Sequence, residues 1–169
     1  MFGYLITEIS VINMLVMKKE VVLKFLSGII ALLSFYAALS KLVDFEVSKH
    51  EMLKQVFSRD IALMLVWIVP LVELVIAALL LFNFTRLIGF YASLVLLSSF
   101  SIYIAITMSG AFGRIPCSCG GILKNMGYWT HLIFNLFFIV LALLGIAIER
   151  RWIINRVFQL FKRKEVSHT

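Results

Sequence analysis

Residues 61–84 read IALMLVWIVPLVELVIAALLLFNF, a run of 24 residues in which Glu73 is the only charged side chain. An α-helix of roughly 20 apolar residues crosses a bilayer core about 30 Å thick, so this run predicts a membrane-spanning helix. Strands of a membrane β-barrel are shorter and alternate between apolar and polar residues, which this run does not do. The stretch therefore indicates a helical membrane protein.

Three further runs of this kind lie at residues 21–43, 87–112 and 129–148. The whole chain is 62% hydrophobic and 15% charged, with a mean hydropathy of +1.03, whereas a soluble domain is about half apolar. We therefore predict an all-α fold, a polytopic membrane protein with a four-transmembrane-helix bundle over residues 21–149. A chain of 169 residues leaves no room for a second domain.

The two ends of the chain differ in composition from these runs. Within the N-terminal segment of residues 1–20, residues 1–16 lack the basic region and the small-residue cleavage site of a signal peptide. Two interpretations stay open for them, an interfacial helix or an upstream extension that precedes a natural start at Met17. Residues 150–169 form a basic tail, in which four apolar residues share one helical face and predict contact with the membrane surface: Ile153, Val157, Leu160 and Phe161.

The distribution of lysine and arginine predicts the orientation. With both termini cytoplasmic, ten basic residues lie on that side and six on the other, which agrees with the positive-inside rule. The ten are Lys18, Lys19, Lys24, Arg86, Arg150, Arg151, Arg156, Lys162, Arg163 and Lys164, and the six are Lys41, Lys49, Lys54, Arg59, Arg114 and Lys124. The net charge of +7 then indicates contact with an anionic lipid leaflet and not with nucleic acid, because the basic residues flank the spans.

Both cysteines of the chain, Cys117 and Cys119, lie in the stretch RIPCSCGGIL at residues 114–123. The predicted orientation puts this loop outside the cytoplasm, where thiols tend to form disulfides. A ring closed by C-x-C stabilises a fold by at most about 1.6 kcal/mol before strain is subtracted. Strained, exposed disulfides are the ones that exchange readily. The pair therefore predicts redox exchange with a thiol-containing protein outside the cytoplasm.

Two alternatives remain for the cysteines. Zinc needs about four ligands, and Cys117, Cys119, His50 and His131 supply the right atoms, although their spacing matches no common zinc motif. The other alternative is a pair of small loop residues without a chemical role. Exchange itself requires no cofactor. Because the chain has no second cysteine pair, electrons would pass to a quinone or to another membrane protein.

Three further residues are candidates for a role in this chemistry. A positive charge on His131 or Lys41 would favour the thiolate form of a nearby cysteine. Glu73 lies about 18 Å into its helix, so it must be neutral or paired there. We predict either a proton-linked or quinone-linked site or a hydrogen bond between helices. The predicted partners of its carboxyl group are Ser98, Ser99, Tyr103, Ser34 and Tyr36.

Four stretches, taken in order, resemble the MauE branch of the DoxX-like membrane proteins over residues 21–148. They are KLVDF at 41–45, WIVPLVELVIAALLLF at 67–82, the C-x-C-G turn, and HLIFNLFFIVLALL at 131–144. The resemblance implies a multi-pass protein of the bacterial plasma membrane. It also implies redox work of the kind needed to mature the disulfide-rich small subunit of methylamine dehydrogenase.

One detail departs from that family's pattern. Members often carry C-G-C followed by an aromatic residue, whereas this chain has Ser118 between the cysteines and Gly120 after them. The resemblance thus implies the redox class and leaves the substrate open. We predict a membrane component of extracytoplasmic thiol–disulfide chemistry that exchanges electrons with a partner or supports its maturation. The alternative is a non-catalytic assembly factor or scaffold with a structural or metal-binding C-x-C turn.

Overall fold

The structure is a computed structural model that describes the backbone of residues 2–110 and 127–166, and the side chains of residues 17–110, 127 and 129–151. Within these residues the chain forms five helices and no strand: α1 (Phe2–Val43), α2 (Phe45–Leu53), α3 (Arg59–Leu81), α4 (Arg86–Met108) and α5 (Tyr128–Val166). Four segments are long and apolar enough to cross a membrane, Met17–Val43, Arg59–Leu81, Arg86–Met108 and Trp129–Arg151. The predicted all-α bundle with four spans is confirmed.

The spans pack as two close pairs, α1 with α3 and α4 with α5, and α4 also contacts α3. Their shared core is aliphatic and aromatic, and includes Leu23, Ile30, Ile76, Leu80, Phe90 and Ala142. The outward surface is also apolar, with Trp67, Met64 and Val95 each more than 60% exposed. Apolar side chains on the outside suit a bundle that is surrounded by lipid, because lipid tails do not penalise their exposure.

Two glycines on facing helices allow close approach. A Cβ atom at Gly145 of α5 would lie 2.5 Å from the Phe90 ring of α4, and one at Gly89 of α4 would lie 2.9 Å from Leu80 Cγ of α3. Small residues at such positions let the backbone of one membrane helix approach a side chain of its neighbour. The close approach increases the favourable dispersion energy between the two helices. Helix α4 is thereby held closely against both neighbours.

Two spans end earlier than hydropathy predicts. Helix α3 ends at Leu81 because residues 82–85 form the turn into α4, and α4 ends at Met108, shortly before Gly110 adopts a φ of 77°. A hydropathy profile does not distinguish apolar residues in a turn from apolar residues in a helix. It therefore places the ends of these two helices too late in the chain. At the other extreme, α1 and α5 continue beyond their spans, and the 39 residues of α5 extend about 58 Å.

The antiparallel path gives the bundle two distinct ends. The α2 end comprises the last turn of α1, α2 itself, the start of α3, the end of α4 and the start of α5. The Arg86 end comprises Glu20, the turn at residues 82–85, Arg86 and Glu149. Polar side chains are buried at both ends.

Candidate functional site

A buried ion pair joins α1 to α3. The Lys41 ammonium lies 2.7 Å from Glu73 Oε1 and 3.0 Å from Oε2, and it donates a third hydrogen bond to the Ala37 carbonyl at 3.2 Å. The Lys41 side chain is 17% exposed and that of Glu73 only 4%. All three ammonium protons therefore have acceptors, and the carboxylate has its counter-charge inside the span.

This pairing corrects the expected partners of Glu73. The sequence suggested hydroxyl groups on α4 and α1, but Ser99 donates to the Val95 carbonyl and Tyr103 donates to Gln55. Lys41 was expected to act on a nearby cysteine from the outer end of α1. Its side chain instead runs back along α1 to the level of Ala37, because the long lysine stem can place its charge one turn away from its own backbone. The sequence did contain a signal for this ion pair, because Glu73 is the single acid in its apolar run and Lys41 is a basic residue in the preceding run.

His131 and Asn135 bring α5 into the same region. They lie one turn apart on one helical face, and they are 8% and 3% exposed. The Asn135 Nδ2 is buried and has no hydrogen-bond partner among the described residues. Three spans thus contribute polar side chains to the interior of the bundle near the α2 end.

A second polar contact fastens the connection between α2 and α3 to α4. The Tyr103 hydroxyl donates to Gln55 Oε1 at 2.6 Å, and Gln55 donates from Nε2 to the Glu51 carbonyl. The ring of Phe57 stacks on that of Tyr103, with centroids 5.4 Å apart. Gln55 is buried, and a hydrogen bond in the protein interior is electrostatically stronger than one in water.

The cysteine connection begins and ends at the α2 end. Gly110 follows the last turn of α4, and the Gly127 carbonyl accepts a hydrogen bond from the His131 N–H at the start of α5. Cys117 and Cys119 lie between these glycines, outside the described residues. The effect of Lys41 or His131 on a cysteine therefore remains a prediction.

The zinc alternative depends on the same undescribed cysteines. Its other two ligands, His50 on α2 and His131 on α5, are exposed and buried respectively. Within the part of the chain that the structure describes, no three residues among His, Cys, Asp and Glu lie close enough together to hold a metal ion.

A family model described as methylamine utilisation protein MauE matches residues 19–148. The chain belongs to the MauE family. The matched MauE region contains α2, nearly the whole of the four spans and both cysteines. No curated protein and no solved structure shows a significant match to the chain.

The Arg86 end of this MauE protein carries a polar cluster that the sequence did not indicate. The Arg86 guanidinium binds the Glu149 carboxylate through Nε at 3.2 Å and Nη2 at 2.9 Å, and Nη1 donates to Asn83 Oδ1. Glu20 of α1 lies 3.6 Å from Nη1. Arg86 and Glu149 are 2% and 3% exposed, so the pair is as buried as the apolar core.

The positive-inside rule places Arg86 among the basic residues of the cytoplasmic side, and the sequence predicts no role for Glu149. The two-pronged contact uses the planar geometry of arginine, which matches a carboxylate. Its contacts tie α1, α4 and α5 together far from the cysteine connection. We therefore assign this cluster to the stability of the bundle and not to its chemistry.

Proposed function

We propose that this MauE protein carries out thiol–disulfide exchange with a partner protein outside the cytoplasm, through Cys117 and Cys119. Membership of the MauE family supports this proposal, because the resemblance to that family implies redox work in the maturation of a disulfide-rich subunit. The observation that carries it is the origin of the cysteine connection at the α2 end, where Glu73 and His131 are buried and Lys41 is partly buried. Such a concentration of titratable groups within membrane spans favours a functional site.

The exchange is balanced in electrons and protons. A thiolate of the reduced pair attacks a partner disulfide and forms a mixed disulfide, and the partner's released sulfur takes up a proton. The second thiol of the pair then displaces the partner, so that this chain ends as a disulfide and the partner as a dithiol. The reverse reaction oxidises a partner dithiol, and the relative reduction potentials set the direction.

His131 is the side chain that we propose as proton acceptor for the attacking thiol. It lies four residues after Gly127, at the end of the cysteine connection, where its backbone N–H donates to the Gly127 carbonyl, and imidazole is the side chain that most often accepts a proton near neutral pH. The ion pair also changes the expected role of Lys41. With Glu73 as its counter-ion, Lys41 is better suited to hold α1 against α3 than to stabilise a thiolate.

The proposed location is the bacterial plasma membrane, with both termini in the cytoplasm. Arg86 and Lys41 are each neutralised by a buried carboxylate, which removes one cation from each side of the predicted count. The remaining nine and five basic residues keep the asymmetry. When the partner is oxidised, a quinone or another membrane protein is the proposed acceptor of electrons from the reduced pair, and when the partner is reduced, a quinol or another membrane protein is the proposed donor.

The test is covalent trapping in native membranes. The Cys119→Ser variant should accumulate a mixed disulfide between Cys117 and a partner, which reducing agent releases and mass spectrometry identifies. The Cys117→Ser variant should trap far less, and the double serine variant none. Full partner maturation in all three variants would replace exchange by the scaffold function, and loss of bound zinc in each would establish the metal site.

A further inference from the structure

A cleft of about 740 Å³ separates α2 from α3 on the outer surface of the bundle. Its lining is mostly apolar and includes Phe45, Leu63, Met64 and Trp67, together with the two charged residues Lys49 and Asp60. Met64 and Trp67 are each 62% exposed, although they belong to a membrane-spanning helix. The cleft therefore opens toward lipid.

Charge and apolar surface are separated along the length of the cleft. The rings of Phe45 and Trp67 meet at one side, with centroids 4.7 Å apart. Lys49 lies one helical turn after Phe45, and Asp60 lies two turns before Trp67. Both charges are therefore nearer than the ring pair to the short connection between α2 and α3. Asp60 lies in the first turn of its span, so we expect it at the level of the membrane surface.

We infer that this cleft binds a glycerophospholipid whose head group carries a primary ammonium, of the phosphatidylethanolamine type. The acyl chain would lie against Trp67 and Met64, the phosphate would contact the Lys49 ammonium, and the head-group ammonium would contact the Asp60 carboxylate. A zwitterion matches one cation and one anion at the polar side of the cleft. An anionic lipid would meet Lys49 but would be repelled by Asp60.

The charged residues are available for these contacts. Lys49 has a distant ion pair with Glu46, 3.7 Å away, and the Glu46 side chain is 82% exposed, so that pair contributes little. A choline head group carries the same charge as ethanolamine but has no N–H to donate to a carboxylate. Asp60 therefore distinguishes ethanolamine from choline by hydrogen bonding. This inference does not depend on the proposed exchange chemistry of the cysteines.

The test is lipid retention by the full chain, purified in detergent and supplied with equal amounts of phosphatidylethanolamine, phosphatidylcholine and phosphatidylglycerol. Native mass spectrometry counts the lipids that stay bound. We expect the ethanolamine lipid to be retained about fivefold more than the other two, as a partly exposed charge pair allows. Asp60→Asn should abolish this preference, and Lys49→Gln should reduce retention of all three lipids.

Matched variants separate the cleft from its surroundings. Leu63→Trp fills the cleft and should prevent retention, whereas Val72→Trp, which is exposed on the opposite side of the same helix, should not. Lys54→Gln is the control for loss of a cation outside the cleft. Equal retention of the three lipids by the wild type, or an unchanged preference in Asp60→Asn, would overturn the inference. If Leu63→Trp alters cysteine reactivity and leaves lipid retention unchanged, the occupant is residues 111–126 of this chain and not a lipid.

Discussion

The Lys41 ammonium and the Glu73 carboxylate form a two-oxygen contact between the last turn of α1 and the interior of α3, 32 residues apart in the chain. In the apolar interior, each of the two charged groups has the other as its counter-charge. The two side chains therefore stabilise the bundle only as a pair. Removing one partner is costly mainly because the other stays buried and charged.

Glu73→Gln should therefore destabilise the protein by about 3–5 kcal/mol, although glutamine keeps the shape and can still accept a hydrogen bond. The double variant Lys41→Met with Glu73→Met should return to wild-type stability or exceed it, because no unpaired charge remains. Apparent unfolding temperature in one detergent measures both effects. Asp60→Asn, an exposed acid on the same helix, is the control and should change it little. Equal stability of Glu73→Gln and wild type would show that the pair does not hold the helices.

Asn135 should respond in the opposite sense. Its Nδ2 is buried without a partner among the described residues, so Asn135→Leu removes an unsatisfied donor and should leave stability unchanged or raise it by about 1–3 kcal/mol. Gln55→Leu removes an amide that is bonded to Tyr103 and should lower stability by about 1 kcal/mol. Thermal unfolding of the two variants side by side measures the contrast. A destabilised Asn135→Leu variant would mean that the amide has a partner in the folded protein.

Gly145→Ala should destabilise the contact between α4 and α5. The new methyl group would lie 2.5 Å from Phe90 ring atoms, and overpacking of this kind costs about 1–3 kcal/mol. Gly28→Ala is the matched control, because nothing lies within 4 Å of its added Cβ, and it should be neutral or stabilising. Adding Phe90→Leu to Gly145→Ala should recover part of the loss. Identical unfolding temperatures for the two alanine variants would contradict this packing.

The disulfide between Cys117 and Cys119 should be reduced by a mild dithiol far more readily than a structural disulfide. The reason is the size of the ring, which limits its stabilisation to at most about 1.6 kcal/mol. Unfolding temperature should hardly differ between the oxidised and reduced forms. Titration against dithiothreitol buffers, followed by thiol alkylation, gives the potential. A value below about −300 mV would instead class the bond as structural.

The predicted orientation can be tested directly by labelling the cysteines from outside the cell. A membrane-impermeant maleimide applied to intact cells, after mild reduction, should label Cys117 or Cys119. The Cys117→Ser, Cys119→Ser double variant with a new cysteine in place of Ser167 is the control and should be labelled only after the cells are opened. Labelling in the reverse order would place the cysteine connection in the cytoplasm and remove the oxidising environment from the proposal.

Hydropathy was sufficient to predict the four spans, because a bilayer requires about 20 apolar residues from any helix that crosses it. It was not sufficient for the partner of Glu73. That partner depends on which helices are neighbours and on how far the Lys41 stem reaches, and neither property is encoded in a local pattern. Arg86 shows the same limit, since a basic residue at the start of a span is expected at the lipid surface and not in contact with Glu149.

The candidate site was predictable in part. The sequence singled out Lys41, Glu73 and His131 separately, because each is a titratable residue in or next to an apolar run. Their common location near the α2 end required the antiparallel packing of α1, α3 and α5. The cysteines themselves were identified from composition and spacing alone, and their geometry lies outside the described residues.

The contact between Arg86 and Glu149 also fixes an order of events during synthesis. The ribosome delivers Glu20 first, then Arg86, and Glu149 only with the last span. While α4 enters the bilayer, the guanidinium therefore has Glu20 as its only carboxylate of the cluster. The two-pronged contact can close only after α5 has inserted. In a chain truncated before Glu149, the Arg86 guanidinium would keep Asn83 and Glu20 as its partners in the cluster and would lack the two-pronged contact with a carboxylate.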